Sequence, residues 1–488
     1  MSIDIHKEAA QCLLCQDAPC SRAVRHGDPA RAVRAIRFGN LALAHQWFGP
    51  CDEQDLQAAE HACIHYDRPI RLAELARLTP AAPETPPEPL PDLSIDFCGL
   101  RCENPFFLAS SAVCTNYEMV ARAFDAGWAG VFYKTICMDD INEVSPRFDA
   151  VPREGERGDF GSFRNMEQLS ENPVEMDFDI LHRLKQNYPS KIVVASIMGG
   201  TEEQWILLGK MAEQAGVDAI ELNFSCPQMR IAGMGSDVGQ NPELVTFYTA
   251  YVKRSVKIPV IAKMTPNVTL IENPAMGAHF AGADAISAIN TVKSVTMNDS
   301  SAVSGKMTVS GLSGRAVKPI ALRAILQLSK SPMIKHPELS GVGGIETWQD
   351  ALEFLQLGCR NLQVCTAVMQ YGYRIIDDLT DGLRHYMARR GVQRLDELVG
   401  ERLDDFVRPK DLDRDTVVYP MIDRERCIGC GRCYISCQDG GHQAITFDDK
   451  RQPHIVGSKC VGCHLCRLVC PTGAITSAKR VPKRRGQA

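Results

Sequence analysis

Two runs of cysteine late in the chain have a spacing suited to iron and sulfide. Residues 427–437 read CIGCGRCYISC and residues 460–471 read CVGCHLCRLVCP; each is Cys-x2-Cys-x2-Cys-x3-Cys, and the second ends in proline. Gaps of two residues let three thiolates of one loop bind three irons of a cubane, while the fourth, on the following helix, crosses to the other cluster. Cys427, Cys430, Cys433 and Cys470 are therefore expected to hold one 4Fe-4S cluster, and Cys460, Cys463, Cys466 and Cys437 a second. Paired zinc sites would draw on two separate Cys-x2-Cys knuckles rather than runs of four. A further stretch, CLLCQDAPCSRAV, sets Cys12, Cys15 and Cys20 in a cluster-like loop with no fourth ligand close by. Of twenty cysteines, five lie within 12–63 and eight within 427–470. In a reducing compartment such crowding reads as metal binding, not as disulfides.

Between these ends, the residues able to do chemistry recur at the ends of short apolar runs. The runs are FFLAS (106–110), GVFYK (130–134), KIVVASI (191–197), DAIELN (218–223), PVIAKM (259–264), DAISAI (284–289), LSGVGG (339–344) and NLQVC (361–365). Helical patterns such as NYEMVARAFDAG and PVEMDFDILHRLKQNY fall between them. Eight such β–α units over residues 93–400 predict a (β/α)8 barrel, a fold of about 250 residues before insertions. A doubly wound open sheet is the competitor, but it would carry a GxGxxG fingerprint, which this chain lacks.

In such a barrel the C-terminal ends of the strands face the active site. Lys134 and Thr135 follow the second run, Ser196 nearly closes the third, and Asn223, Phe224, Ser225 and Cys226 follow the fourth. Lys263 ends the fifth, Asn290 and Thr291 follow the sixth, and Gly343–Gly344 and Cys365–Thr366 end the last two, where barrels commonly bind phosphate. Singly, each has a bland explanation, as a solvated lysine or a turn cap. Together they describe a site for a flat polar ring beside a phosphorylated flavin.

The remaining chain sets the frame. Residues 79–92, TPAAPETPPEPLPD, hold six prolines and read as an extended linker. The segment before it, 1–78, reads helical from RAVRAIRFGNLALAHQWF and EQDLQAAEHACIHY. A cysteine-rich α+β domain over 401–476 and a solvated basic tail over 477–488 complete the division. A net charge of -5 argues against nucleic acid or an anionic membrane as partner. With no apolar signal core and no run of about 18 apolar residues, a soluble cytoplasmic protein is expected.

The stretches DLSIDFCGLRCENPFFLASS, NEVSPRFD, NMEQ, ASIMG, ELNFSCPQM, AKMTPN, SAINTV, SGLSG, GGIETW and QVCTAVMQYGYR resemble the flavin-bearing subunit of bacterial NAD-dependent dihydropyrimidine dehydrogenases. The resemblance runs through the ferredoxin-like end, over residues 93–475. It implies a barrel of the dihydroorotate dehydrogenase type with bound FMN, reducing uracil or thymine to the 5,6-dihydro form. Cys226 then matches the acid that protonates the ring; a free thiol, with a pKa of about 8.5, is mostly protonated at neutral pH. The loop that follows, GMGSDVGQ (233–240), would let it swing over the substrate. Asn165, Asn223, Asn290 and Thr291 match a clamp for the pyrimidine edge, whose alternating donors and acceptors suit carboxamides. Ser110, Lys134, Thr135, Lys263, Gly314, Gly343, Gly344, Cys365 and Thr366 match FMN contacts, a cation there stabilising the reduced ring. The same resemblance implies an FAD- and NAD(P)-binding partner subunit that feeds electrons through the clusters.

The front segment resembles the helical iron–sulfur module of that partner and of fused dihydropyrimidine dehydrogenases, on AAQCLLCQDAPCSRAV, RAIRFGN and ACIHYDRPIRLAEL. By that resemblance Cys12, Cys15, Cys20 and Cys63 hold a third 4Fe-4S cluster. A second cluster of the module would need a cysteine at Val24, and Cys51 is left without partners. Two other readings compete: a dihydroorotate dehydrogenase-like enzyme with another cyclic substrate, and a non-catalytic electron carrier on a barrel scaffold.

Overall fold

The computed structural model describes residues 3–65, 67–80, 90–151, 161–227, 229, 233–297, 306, 308–335 and 337–483. They form two compact units, Met1–Leu403 and Asp404–Ala488. Most of the linker expected at 79–92 lies outside the described residues. No helix among them is long and apolar enough to cross a membrane.

The larger unit is built on a closed parallel barrel of eight strands. They are β1 (Phe106–Leu108), β2 (Gly130–Phe132), β3 (Ile192–Ile197), β4 (Ala219–Asn223), β5 (Val260–Lys263), β6 (Ala285–Ala288), β7 (Leu339–Val342) and β8 (Cys359–Val364). All eight coincide with the apolar runs of the sequence. Closure comes from β8 pairing with β1, with Leu362 opposite Phe106 and Val364 opposite Leu108. Helices with polar caps return the chain between strands: Asn116 accepts from Met119 N–H ahead of Tyr117–Asp125, and Thr201 from Gln204 N–H ahead of Glu202–Ala215.

A second sheet was not legible in the strand pattern. Phe148–Val151 and Ser162–Asn165, inserted after β2, join Val292–Ser294 and Ser310–Ser313, inserted after β6, in one four-stranded antiparallel cap. Each of these strands is only three or four residues long, and polar residues interrupt them.

The front segment belongs to the same unit as the barrel. Its long apolar stretch is two helices, Pro29–Arg37 and Leu41–Phe48, separated by Gly39 and the cap Asn40. Together with Glu53–His61 and Leu72–Leu78 they bury Ile36, Ala44, Phe48, Leu56 and Leu75 in a core of their own. Contacts to the barrel's final helices are mostly ionic and aromatic. Arg34 Nε lies 2.7 Å from Asp378 Oδ2, and Phe38 packs edge-on to Tyr371 at 5.1 Å. Arg374 Nη2 donates to the Leu14 carbonyl at 2.6 Å, and Arg37 Nη2 to the Tyr371 hydroxyl at 3.4 Å.

In the smaller unit, Thr416–Ile422 pairs antiparallel with Ile475–Pro482 around the helices Arg432–Gly440 and Leu465–Leu468. This corrects the expectation of a free tail from 477. Val417 opposite Val481 and Val418 opposite Arg480 keep the first basic residues in a strand, and only 484–488 fall outside the description.

One packing detail on the barrel's outer layer has a measurable sign. Gly382, in helix Ile375–Arg390, faces the indole of Trp348, and a Cβ there would sit 2.0 Å from Trp348 Cδ1. Alanine for glycine in an open helix gains about 1 kcal/mol. Here overpacking of about 1–3 kcal/mol dominates. Gly382→Ala should therefore lower the urea midpoint of the barrel unit; an unchanged or higher midpoint would mean that the two helices part without strain.

Candidate functional site

Alternate residues of the barrel strands point inward, and six strands contribute polar ones. Lys263 Nζ lies 3.3 Å from both Glu221 Oε1 and Gln363 Oε1. Gln363 Nε2 donates to Ser287 Oγ and Ser340 Oγ, each at 2.9 Å, and Ser340 Oγ to Asn361 Oδ1 at 2.6 Å. On the other side Glu221 accepts from Ser196 Oγ at 3.1 Å. The Lys263 side chain is 4% exposed and that of Glu221 0%. A buried ammonium stays charged only if an anion and acceptors surround it, and this pair meets that demand.

From Ser196 the hydrogen bonds climb to the rim. Thr135 Oγ1 meets Ser196 Oγ and Ser110 Oγ, both at 3.0 Å, and accepts from Asn223 Nδ2 at 2.9 Å. Asn223 Oδ1 takes the Ser225 hydroxyl at 2.8 Å; Ser225 Oγ takes Asn290 Nδ2 at 2.8 Å; Asn290 Oδ1 takes the Thr291 N–H at 2.7 Å. Asn223 and Ser225 after the fourth run and Asn290 and Thr291 after the sixth are thus one hydrogen-bonded string.

Beside the string lies a cavity of about 750 Å³. Ser110, Asn165, Lys263, Asn290, Thr291, Gly314, Gly343, Gly344, Cys365 and Thr366 line it. Lys134, Thr135 and Asn223 stand behind the lining, buried. Lys134 Nζ is held 3.0 Å from Glu167 Oε2, and Glu167 itself lines the cavity and also pairs with Arg147. Cys226 is 5% exposed and does not line the cavity. The expected mobile loop after it is different in form: Ser236–Gly239 is a helical turn, and Ser236 N–H donates to the Cys226 carbonyl at 2.9 Å.

The cradle at the far end fits a phosphorylated flavin. Gly343 and Gly344 have φ of +124° and +77°, and a Cβ on Gly344 would meet Lys318 Cβ at 2.8 Å. Side chains are excluded there on two counts, as suits a backbone cradle for a phosphate. Lys263 places an ammonium in the cavity wall, the kind of cation that suits a reduced flavin.

One of the two cysteine sets expected at the C-terminal end is found around a single space. Cys437, Cys460, Cys463 and Cys466 line one cavity of about 340 Å³. Glycines at φ of +63° (Gly429) and +73° (Gly462) turn the two binding loops. Burial disfavours the Cys470 thiolate, but the Thr472 hydroxyl and the N–H groups of Thr472, Ala474 and Ile475 outweigh it and hold this thiol below its ordinary value. In the front module Cys12, Cys15, Cys20 and Cys63 together line a cavity of about 440 Å³, while Cys51 stays apart with its thiol on the His26 carbonyl at 3.2 Å. Burial pushes the Cys12 thiol up to about 11, with Cys20, Cys15 and Cys63 adding to it and the Leu14 N–H opposing. Among the described residues no three metal-binding side chains converge on one point as a single-ion site requires.

Sequence reasoning passed over Glu221, Gln363, Ser287, Ser340, Asn361 and Glu167. For all but Glu167, which follows a cap strand, the signal was a lone polar residue, or in β8 the pair Asn361 and Gln363, inside an otherwise apolar strand.

The pair at the barrel's centre can be tested without any ligand. Lys263→Met leaves the Glu221 charge buried and unanswered, and should destabilise the flavin-free chain by about 3–5 kcal/mol. Lys263→Met/Glu221→Gln should recover most of that in urea unfolding. A double variant no more stable than the single one would uncouple the two residues.

Comparison with known proteins agrees with this geometry. The model of the dihydroorotate dehydrogenase family matches residues 92–387, and that of the 4Fe-4S dicluster domain matches residues 420–477. The chain is 53% identical over 370 residues to the NAD-dependent dihydropyrimidine dehydrogenase subunit PreA of Escherichia coli, covering 74% of this chain and 90% of that protein. It is 38% identical over 339 residues to the chloroplastic dihydropyrimidine dehydrogenase (NADP(+)) of Arabidopsis thaliana, covering 66% and 79%. In fold it is similar to the crystal structure of DHODH in complex with ferulenol from Eimeria tenella, with a TM-score of 0.55 at 18% identity, over 66% of this chain and 90% of that one. The family implies FMN in the barrel, and the dicluster domain implies 4Fe-4S clusters at the C-terminal end. Barrel, cradle, cysteine loops and sequence lead to one assignment: the chain belongs to the dihydroorotate dehydrogenase family of oxidoreductases, alongside the dihydropyrimidine dehydrogenase subunits.

Proposed function

We propose that this chain is the catalytic subunit of a cytoplasmic dihydropyrimidine dehydrogenase that reversibly reduces uracil or thymine to the 5,6-dihydropyrimidine. The observation that carries the reading is the neutral string Asn223–Ser225–Asn290–Thr291 beside a ring-sized cavity that Asn165 also lines. Amides and hydroxyls match the imide edge of a pyrimidine. Orotate would bring a carboxylate and call for a cation. Of the described residues lining the cavity, those carrying charge are Lys263 and Glu167, and each is already paired. A non-catalytic carrier would have no use for such a cavity.

FMN, when bound, supplies the hydride to one carbon of the ring double bond. The chain's own residues do the rest. Asn165, Asn223, Asn290 and Thr291 orient the ring, Lys263 holds positive charge in the cavity wall and Lys134 behind it, and Cys226 gives its Sγ proton to the neighbouring carbon. Electrons come from a partner subunit carrying FAD and the NAD(P)H site. Among the described residues there is no open parallel sheet of the kind that binds dinucleotides.

With an artificial one-electron donor the purified chain should reduce uracil, and with NADH alone it should not. Cys226→Ala should keep its flavin yet lose about two to four orders of magnitude in turnover, the usual share of a positioned acid. Uracil reduction with NADH alone would remove the partner, and a variant within twofold of wild type would remove Cys226.

The same reading assigns three clusters: one on Cys12, Cys15, Cys20 and Cys63 in the front module (1–78), and two in the C-terminal domain (401–476). The support for the first is the shared cavity of its four thiols. About twelve irons per chain are expected, at four per cubane. Cys63→Ser should lose about four of them and Cys51→Ser none. Equal iron in wild type and Cys63→Ser would make the front thiols a relic.

A further inference from the structure

Arg164 is the largest buried charge that the proposed chemistry does not use. It sits in the cap strand Ser162–Asn165 and is 1% exposed. Its neighbours in sequence, Phe163 and Asn165, line the cavity, so by strand alternation its own side chain lies on the opposite face.

On that face one guanidinium reaches three other segments of the cap. Its Nε donates to Ser310 Oγ at 2.8 Å, its Nη1 to Thr296 Oγ1 at 2.6 Å and its Nη2 to the Thr308 carbonyl at 2.9 Å. Asp149, on the paired strand, brings Oδ2 within 3.7 Å of Nη1. A cation at this depth costs desolvation, and most of its partners here are neutral. The planar fork is what lets a single side chain bond in several directions, which an ammonium on a flexible stem does not reproduce.

The segments it gathers carry the substrate-facing residues. Asn165 is the next residue on the arginine's own strand, held by Glu167 N–H donating to its Oδ1 at 2.7 Å. Thr291 packs against Gly311 of the strand Ser310–Ser313, so tightly that a Cβ on Gly311 would lie 2.2 Å from Thr291 Oγ1. In the register Asn165 stands opposite Gly311, and Arg164 opposite Leu312. Asn165 and Thr291 therefore keep their mutual spacing only while these strands stay together.

We infer that Arg164 is a positioning residue, which clamps the two loop insertions of the cap to each other and thereby fixes Asn165 and Thr291 over the ring site. The inference deepens the pyrimidine reading and rests on it for the identity of the ring.

Full-length chain loaded with FMN tests it, as wild type, Arg164→Met, Arg164→Lys and Arg164→Met/Asp149→Leu. The last removes the orphaned carboxylate, so that folding is preserved if the single variant fails. Two readouts are taken: amide hydrogen exchange in Val292–Ser294 and Ser310–Ser313 against strand β3, and the Kd of uracil from the flavin absorbance. In Arg164→Met, and in the double variant, exchange in the cap strands should rise at least tenfold while β3 is unchanged, as expected for local opening. Uracil should bind roughly ten- to a hundredfold more weakly at equal FMN content, the scale of losing about one well-placed hydrogen bond. Arg164→Lys should fall between. Cap exchange within twofold of wild type overturns the inference, and so does faster exchange with an unchanged Kd. If wild type binds no pyrimidine, the substrate reading fails by itself, and the exchange data alone decide the part of Arg164.

Discussion

An ammonium group as deeply buried as that of Lys263 must be answered by an anion and by acceptors within reach, and a closed barrel is what brings them there. Glu221 stands on the preceding strand, Gln363 on the last, and Ser287 and Ser340 on the strands between. In an open sheet the last strand would be far from the fifth, and no such ring of partners could close. Barrel interiors are usually filled by branched apolar side chains. This one gives up part of that filling for a polar core whose groups satisfy one another, an arrangement that tolerates no half-measure, because an unpaired member in low dielectric is costly. The rim inherits its order from below, since Ser196, Thr135 and Asn223 continue the same hydrogen-bonded network outward to Asn290 and Thr291.

How much of this could be read beforehand depended on the range of the signal. Each barrel strand is a local apolar run between turns, and all eight were visible. Cysteine spacing is equally local, and Cys437 does meet Cys460, Cys463 and Cys466 around one space, as the crossing pattern expects. The cap was hidden because its strands are short, polar and drawn from two insertions far apart in sequence; antiparallel pairing of Asn165 with Gly311 leaves no trace in either stretch alone. Glu221 and Gln363 were hidden for the opposite reason. Inside apolar strands a single polar residue looks like noise until five other strands supply its partners. The position of Cys226, buried beside the cavity and outside its lining, could not have come from the motif that drew attention to it.

The front module illustrates how a small helical segment is kept in place. Its own core is modest, a dozen buried apolar residues. What joins it to the barrel is a patch of arginines, Arg34 and Arg37 on its side and Arg374 on the other, with Tyr371 and Asp378 among them. Two of those arginines donate to carbonyls of the cysteine loop, at Cys12 and Leu14. The loop that gathers the thiols is thus braced from two sides, by Arg37 of the module's own helix and by Arg374 of the barrel.

The cap and the barrel differ in what change they can absorb. Every residue of the polar core is tied to several strands, so substitution there propagates through the whole interior. The cap comes from only two insertions, after β2 and after β6, and meets the cavity through a few side chains. Changes in those two loops therefore reshape the mouth of the cavity while leaving the buried hydrogen-bonded interior of the barrel as it is.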